Sequence, residues 1–442
     1  MRNRNRPPII LIGAALVAAI LPLLLPLAVQ ARRCLSLLIF SSILWVSEAI
    51  PPFVTSIQIL PLSIMLGLFP SRVAVATFFD PVIFLFISSF LMAHTLDKYQ
   101  ITRRLASRIS SSDDWFRFHL SISLLSIFIS AIVSNVAASV VVTAMFGSSP
   151  RSILTIAFAC NIGGMILPIA SPQNLIAISS LPDDKISFFE WLSFSLPICF
   201  AGILLVYIVV QNRFGTIVDT DDIELSKLSP PPSPRTHRFK FTDHDQIVVT
   251  VIVIVTVFGW VIFDHIEPLF GHMGIWGIFC MSCLFAFGYL QQADWQNGIP
   301  WHIVALLGGG FVLGESVKVS GLLDFVHLSN NSSTWIVYSI MLLIVGIIAN
   351  FLSSTVCALV TMPIVARIGI ACGHAKLFLI AAALMTSGAM SLPVSSFPNA
   401  NAAAANQELK TSDFIKTGGP ITGLIWITLI TVGFIYGIVL GY

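Results

Sequence analysis

Ser130-Ala131-Ile132-Val133-Ser134-Asn135-Val136 interrupts an otherwise apolar run, and a second interruption follows it, Pro168-Ile169-Ala170-Ser171-Pro172-Gln173-Asn174. Both recur further along, as Asn350-Phe351-Leu352-Ser353-Ser354-Thr355 and Pro393-Val394-Ser395-Ser396-Phe397-Pro398-Asn399. Ser134 and Ser353 stand 219 residues apart, Asn174 and Asn399 225 apart. A hairpin that enters a membrane and turns back exposes unpaired backbone at its tip, tolerated only inside protein or against a wet cavity. Proline removes a backbone donor and breaks a helix. A duplicated pair of broken, hydroxyl-rich membrane segments points to a small-ion binding site at mid-depth.

Composition agrees with a membrane setting. Of 442 residues, 56% are hydrophobic and 10% charged, against about 25% charged in soluble domains. Apolar runs long enough to span a bilayer recur throughout, among them Ile9–Val29, Ile247–Phe263 and Ile421–Leu440. The N-terminal Met1-Arg2-Asn3-Arg4-Asn5-Arg6 imitates a signal peptide, but the run behind it is too long and lacks a cleavage site, so it reads as a first span. Net charge is +2, and nothing resembles a nucleic-acid-binding patch. Cys280-Met281-Ser282-Cys283 has metal-knuckle spacing without a partner pair; the seven cysteines read as small buried hydrophobes.

The expected order is scaffold helices over 1–118, a re-entrant hairpin, broken helix and following helix over 119–212, and a cytosolic linker over 213–245. A second scaffold set follows over 246–333, and a second set of hairpin, broken helix and last span over 334–442. The spans are read as 8–29, 34–50, 53–69, 81–98, 119–148 (hairpin), 152–181, 190–212, 246–266, 271–290, 300–318, 334–370 (hairpin), 375–406 and 414–441. With the N-terminus cytosolic, 16 of the 23 Lys and Arg fall on the cytosolic side. The other side keeps Arg32, Arg33, Arg72, Lys185, Lys318, Arg367 and Lys376. Asn330-Asn331-Ser332-Ser333 places overlapping glycosylation sequons there. Arg103–Arg117 reads either as an amphipathic surface helix or as a solvated loop.

The residue types suit paired ions of opposite sign. Freed N–H groups at a helix start attract anions, and freed carbonyls at a helix end attract cations. Hydroxyls serve either ion, and Asn135 offers an amide NH2 to one and a carbonyl oxygen to the other. Gly163-Gly164 and Gly388 loosen the helices before each break. Neither tip and neither break holds Asp, Glu, Lys or Arg, so an anion would be held by neutral donors and a companion cation. A single such cluster is more often interhelical glue; the ordered duplication is what favours binding. Glu48, Glu315, His94 and His302 are the ionisable groups in or beside spans, read as structural, with proton coupling the alternative. Asp113-Asp114 and Asp221-Asp222 are loop carboxylates. Gly308-Gly309-Gly310 lacks the Lys-Ser/Thr of a phosphate-cradling loop and reads as a close helix-packing site, so an enzyme is not expected.

These motifs resemble the divalent-anion/sodium symporter (DASS) family, whose hallmark is a Ser-Asn-Thr tip in each of two hairpins and a Thr/Ser-Pro-x-Asn break after each. The resemblance covers essentially the whole chain, and both tips depart from it by one residue, at Val136 and Ser354. Ala170–Ala177 and Leu392–Asn399 are most similar to the membrane domain of fungal-type low-affinity phosphate transporters. Those relatives commonly carry a soluble regulatory domain ahead of the membrane part; with a first span starting so early, such regulation is expected to be absent or supplied elsewhere.

The resemblance implies an all-α polytopic membrane protein: an inverted repeat with two re-entrant hairpins and two broken helices, working as a homodimer by an elevator motion in the bilayer. It implies an anion site at Ser134, Asn135, Ser171, Ser353, Ser354, Thr355 and Ser396. Sodium as coupling ion, with no other cofactor, would be held by Ser130, Ser134, Asn135, Gly163 and Asn174 in one half. In the other half it would be held by Asn350, Ser354, Ser395 and Asn399. Ala349 stands where Ser130 has its counterpart, so the second cation site is expected to differ. The expected function is sodium-coupled symport of inorganic phosphate, the unequal tips favouring a small inorganic anion. A dicarboxylate, citrate or sulfate symporter of the same fold is the alternative; an anion channel or membrane receptor is more remote, because a pore needs a continuous polar stripe.

Overall fold

The structure, a computed structural model, describes residues 6–47, 49–101, 115–132, 135–147, 149–181, 186–214, 243–322, 333–406 and 408–442. Ser134, Glu48, most of the linker, the Arg103–Asp114 stretch and Asn330–Ser332 lie outside the described residues. Every regular element among the described residues is helical. The first stretch holds α1 (Arg6–Ile20), α2 (Val29–Ser47), α3 (Pro52–Met65), α4 (Ser71–Phe78) and α5 (Val82–Lys98). A hairpin follows, α6 (Trp115–Ile132) and α7 (Asn135–Phe146). Then come α8 (Pro150–Ile166), a 3-10 turn Pro168–Ala170, α9 (Pro172–Ser179) and the long α10 (Phe188–Phe214).

The same succession returns. It runs α11 (Asp243–Val261), α12 (Phe263–Phe270), α13 (Met273–Ala286), α14 (Gln292–Gly298) and α15 (Trp301–Val319). The second hairpin is α16 (Thr334–Phe351) and α17 (Ser354–Ala371). After it stand α18 (Ala375–Gly388), a 3-10 turn Pro393–Ser395, α19 (Phe397–Ala405), α20 (Thr411–Thr428) and α21 (Phe434–Val439). Helix starts α7 and α17 keep the offset of the tips, and the two 3-10 turns keep that of the breaks. A proline opens α8 and α9, where the missing N–H costs no helix bond. Between α20 and α21 a π turn at Leu429–Gly433 frees carbonyls, and Trp335 Nε1 and Tyr338 take those of Ile430 and Leu429.

Among the described residues, seven helices are long and apolar enough to cross a membrane. Large apolar side chains stand exposed along them, Phe200, Leu204 and Ile208 on α10 and Ile340, Ile344 and Ile347 on α16. Such faces are stable only against lipid or another apolar surface. The spans read from sequence recur within a few residues. The short helices α4 and α14 are additions; each is too brief to cross and leads into the next long helix.

Two layers of packing sort the helices. In one, α3 packs on α15 and α5 on α13. Small residues make these seams: Gly309 lies against Ser56, Gly274 against Pro81, Gly277 against Ser88. The triple glycine does serve close packing, with Gly308 on Phe78 and Gly310 on Leu359. In the other layer, α6 and α7 pack on α8, and α16 and α17 on α18. The segments beyond each break cross over: α9 packs on α17 and α18, α19 on α7 and α8.

Polar contacts at the helix ends group residues far apart in sequence. Arg151 meets Gln211, Arg213 lies 3.8 Å from Asp413, and Gln246 donates to Tyr99 O. Lys98 Nζ donates to Asp294 Oδ2 at 2.6 Å, and His94 Nε2 lies 2.9 Å from Oδ1. Burial opposes the Asp294 charge, but the hydrogen bonds from Lys98 and His94 outweigh it and hold this carboxyl below its ordinary range. All these residues fall on the side read as cytosolic. At the opposite ends, Lys376 Nζ donates to Glu190 Oε1 at 2.8 Å, and Tyr442 meets Ser193 and His374. The grouping follows the alternation read from Lys and Arg.

Candidate ion and anion site

The second hairpin turns through Leu352 and Ser353, and the helix start after each hairpin's first arm lies beside a break. In the second half Ser354 donates to Ser395 O at 2.9 Å, and Ser391 N donates to Asn350 Oδ1 at 2.8 Å. In the first half a Cβ on Gly164 would lie 2.5 Å from Ser171 Oγ, 3.1 Å from Asn135 Cβ and 3.3 Å from its Nδ2. Gly164 therefore lets the tip and the break close on each other. Ser130 packs on Gly163, and its hydroxyl donates to Cys160 O at 2.6 Å. The starts of α7 and α9 thus lie together in the first half and those of α17 and α19 in the second, and α9 packs on α17 and α19 on α7.

The asparagines of the breaks act as staples. Asn174 Nδ2 donates to Gly164 O at 2.8 Å and Leu167 O at 2.9 Å. Asn399 Nδ2 donates to Met390 O and Leu392 O, both at 3.0 Å, and to Ser395 Oγ at 3.2 Å. The carbonyls that proline frees are therefore already acceptors. Trp191 Nε1 takes Met165 O and Ser195 Oγ takes Ile166 O. Thr422 holds the backbone N–H of Met390. Sequence reading missed these supporting residues; each is a lone polar group in an apolar helix, a signal shared with many ordinary packing contacts.

The two halves differ in what remains unsatisfied. Asn135 Oδ1, Ser171 Oγ and Asn174 Oδ1 are buried without a hydrogen-bond partner. Ser171 occupies the N-cap position of α9 but its hydroxyl caps nothing. Its counterpart Ser396 caps α19 by accepting from Asn399 N, and Ser353 caps α17 by accepting from Val356 N. Asn350 uses both ends of its amide, since Nδ2 also donates to Gly346 O. Ser395 donates to Leu392 O. Thr355 is buried at the start of α17. A buried acceptor left unmade costs about 1–3 kcal/mol. Three such oxygens, on the starts of α7 and α9, offer an oxygen-rich cradle that suits a hard cation.

A cavity of about 610 Å³ opens beside the cluster, between α4 and α15 on one wall and α9 and α17 on the other. Arg72, Lys318 and Arg367 line it with Asp80 and Glu315. All three cations belong to the side read as non-cytosolic. The lining reaches Leu359, five residues into α17 and so roughly 7.5 Å along its axis from Ser354.

Known proteins share this architecture. The chain is 32% identical to the low-affinity phosphate transporter PHO90 of Saccharomyces cerevisiae, over 70% of this chain and 36% of that protein. It is 31% identical to an uncharacterized transporter of Schizosaccharomyces pombe, over 91% of this chain and 50% of that one. The chain thus spans half or less of the length of these fungal relatives. It is also 24% identical to the sodium-dependent dicarboxylate transporter SdcS of Staphylococcus saprophyticus, over 80% of this chain and 76% of that one. Its fold is similar to the crystal structure of the YdaH transporter of Alcanivorax borkumensis, with a TM-score of 0.52 at 12% identity, covering 82% of this chain and 88% of that one. A model of the CitMHS family, described as citrate transporters, matches residues 42–386, and the chain belongs to this family of multi-pass membrane transporters.

Proposed function

We propose that the chain is a sodium-coupled symporter of inorganic phosphate. The observation that carries this is the neutral cluster itself: paired helix starts in each half and an oxygen cradle in the first, with no charged side chain in either tip or either break. Helix starts supply N–H groups and positive dipole ends for an anion. The cradle takes the cation, and the cation's charge then strengthens anion binding. Neutral donors hold the anion loosely enough to release it. The tips' departure from two Ser-Asn-Thr sequences, and the relation to a phosphate transporter, support phosphate over a carboxylate.

The motion is an elevator built on an inverted repeat. Hairpins and broken helices form the moving block, because each break segment packs on the opposite half. The α3–α15 and α5–α13 seams form the scaffold, and the charged cavity marks the plane between them. Two copies would pair through scaffold helices. A dicarboxylate or citrate substrate is the second reading, favoured by the relation to SdcS and by the family's description.

Radiolabelled phosphate uptake into liposomes holding the purified protein tests both. Uptake driven by an inward sodium gradient, unaffected by excess succinate, citrate or sulfate, is the expected result. Absence of phosphate uptake under any gradient overturns the first reading; succinate uptake in its place establishes the second.

A further inference from the structure

Asn161 was not among the residues expected in the site, yet it joins the two halves. It lies on α8, fully buried, in an apolar run three residues before Gly164. Its Nδ2 donates to Asn399 Oδ1 at 3.0 Å. The orientation of the Asn399 amide is fixed by its other bonds. Its nitrogen already serves Met390 O, Leu392 O and Ser395 Oγ, so the oxygen points to Asn161 and needs a donor there.

Asn174 is built the same way up to that point. Its nitrogen serves Gly164 O and Leu167 O, so its oxygen also points away and also needs a partner. None is present. The reason is a single residue difference. At the repeat offset of the breaks, the position of Asn161 is occupied in the second half by Thr386. The Thr386 hydroxyl turns back to Ala383 O within its own helix. No amide reaches across to Asn174.

We infer that Asn161 stands in for a second coupling cation: the chain binds one sodium ion, in the first half, and satisfies the second half with its own N–H. This deepens the symport reading and rests on the first-half cradle being a cation site. Asn161 Oδ1 is itself buried without a partner. Three residues separate Asn161 from Gly164, which sets both on one helix face. A cation bound at the cradle draws on this oxygen, polarises the amide and strengthens its bond to Asn399, as linked hydrogen bonds do. Asn161 is therefore a positioning residue that ties the second break to occupancy of the first.

Equilibrium binding of radiolabelled sodium to the purified full chain, without added anion, tests this. One sodium per chain is expected; two, or none, overturns it. In Asn161→Asp a carboxylate faces Asn399 Oδ1, two acceptors that only a cation between them reconciles, and the expected count rises to two. A count that stays at one overturns the role given to Asn161. Should that variant not fold, Asn174→Ala is expected to bind none and Ser354→Ala still one; the opposite pattern overturns the inference. Phosphate uptake in the same preparation reads the transport proposal separately. One bound sodium without phosphate uptake leaves the role of Asn161 standing and removes phosphate.

Discussion

The first-half break and the second-half break share a backbone and differ in their accounting. Both pass from helix through a 3-10 turn into a short helix, and both are stapled by an asparagine amide. Both ends of the Asn399 amide have partners in the chain, and Ser396 caps its helix. In the first half three oxygens, Asn135 Oδ1, Ser171 Oγ and Asn174 Oδ1, are buried without a donor. A closed half and an open half on one repeated scaffold teach that equal backbones need not mean equal sites. Buried polar groups that are fully paired rigidify a fold, whereas unpaired ones are a reservoir a ligand can draw on.

The comparison breaks most visibly at Asn135 and Gly164. Asn135→Ala removes an unpartnered oxygen, so folding should hold while sodium-driven uptake is lost; normal uptake would exclude Asn135 from the site. Gly164→Ala places a methyl 2.5 Å from Ser171 Oγ and should also abolish uptake. The second half already carries Ala389 at the matching position, so Ala389→Gly should leave most uptake intact.

Next in size is the pair of staples. Asn399→Ala leaves three carbonyl or hydroxyl acceptors and Asn161 without their bonds, at about 1–3 kcal/mol for each buried group left unmade. Thermal unfolding should show a larger loss than for Asn174→Ala, whose main effect should be on sodium dependence. The reverse order would erase the distinction between a closed and an open half. Smaller again are the serines. Ser396→Ala removes a helix cap and should cost about 1 kcal/mol of stability with sodium dependence unchanged. Ser171→Ala removes no internal bond and should instead weaken apparent sodium affinity about tenfold, equivalent to about 1.4 kcal/mol.

The smallest effect lies outside both halves' sites, where Asp294 joins α14 to α5 through Lys98 and His94. Its carboxyl is held below the ordinary range, so this pairing stabilises the fold above that range. The contribution disappears as pH falls through the lowered value. Being partly exposed, it should amount to about 1 kcal/mol or less. Asp294→Asn should lose that acid-sensitive increment in thermal scans while phosphate uptake stays unchanged; altered uptake would extend the site to the scaffold.

Much of the architecture could be read before the fold was seen. Apolar runs gave the spans, because a helix in lipid must bond its own backbone and present apolar side chains. The prolines and serines gave both breaks and the second turn, because they remove or cap backbone groups wherever they stand. Val136, Ser354 and Ala349 mark unequal sequences in the two halves, but the pairing differs at Asn161 and Thr386, which nothing in the sequence singled out. The small helices α4 and α14 were not, being too short and too mixed in composition to stand out. The partners of polar atoms were equally hidden. Whether Asn174 Oδ1 meets a donor depends on a helix that carries Thr386, 212 residues later in the chain. Whether Asn399 Oδ1 does depends on one 238 residues away.

Sequence by itself therefore determined that this is a multi-pass membrane protein with two interrupted, hydroxyl-rich motifs, since those follow from local chemistry. Only the tertiary structure decided which half is closed. Hydrogen bonds form between neighbours in space, and Asn161 and Thr386 occupy matching positions yet reach different ones.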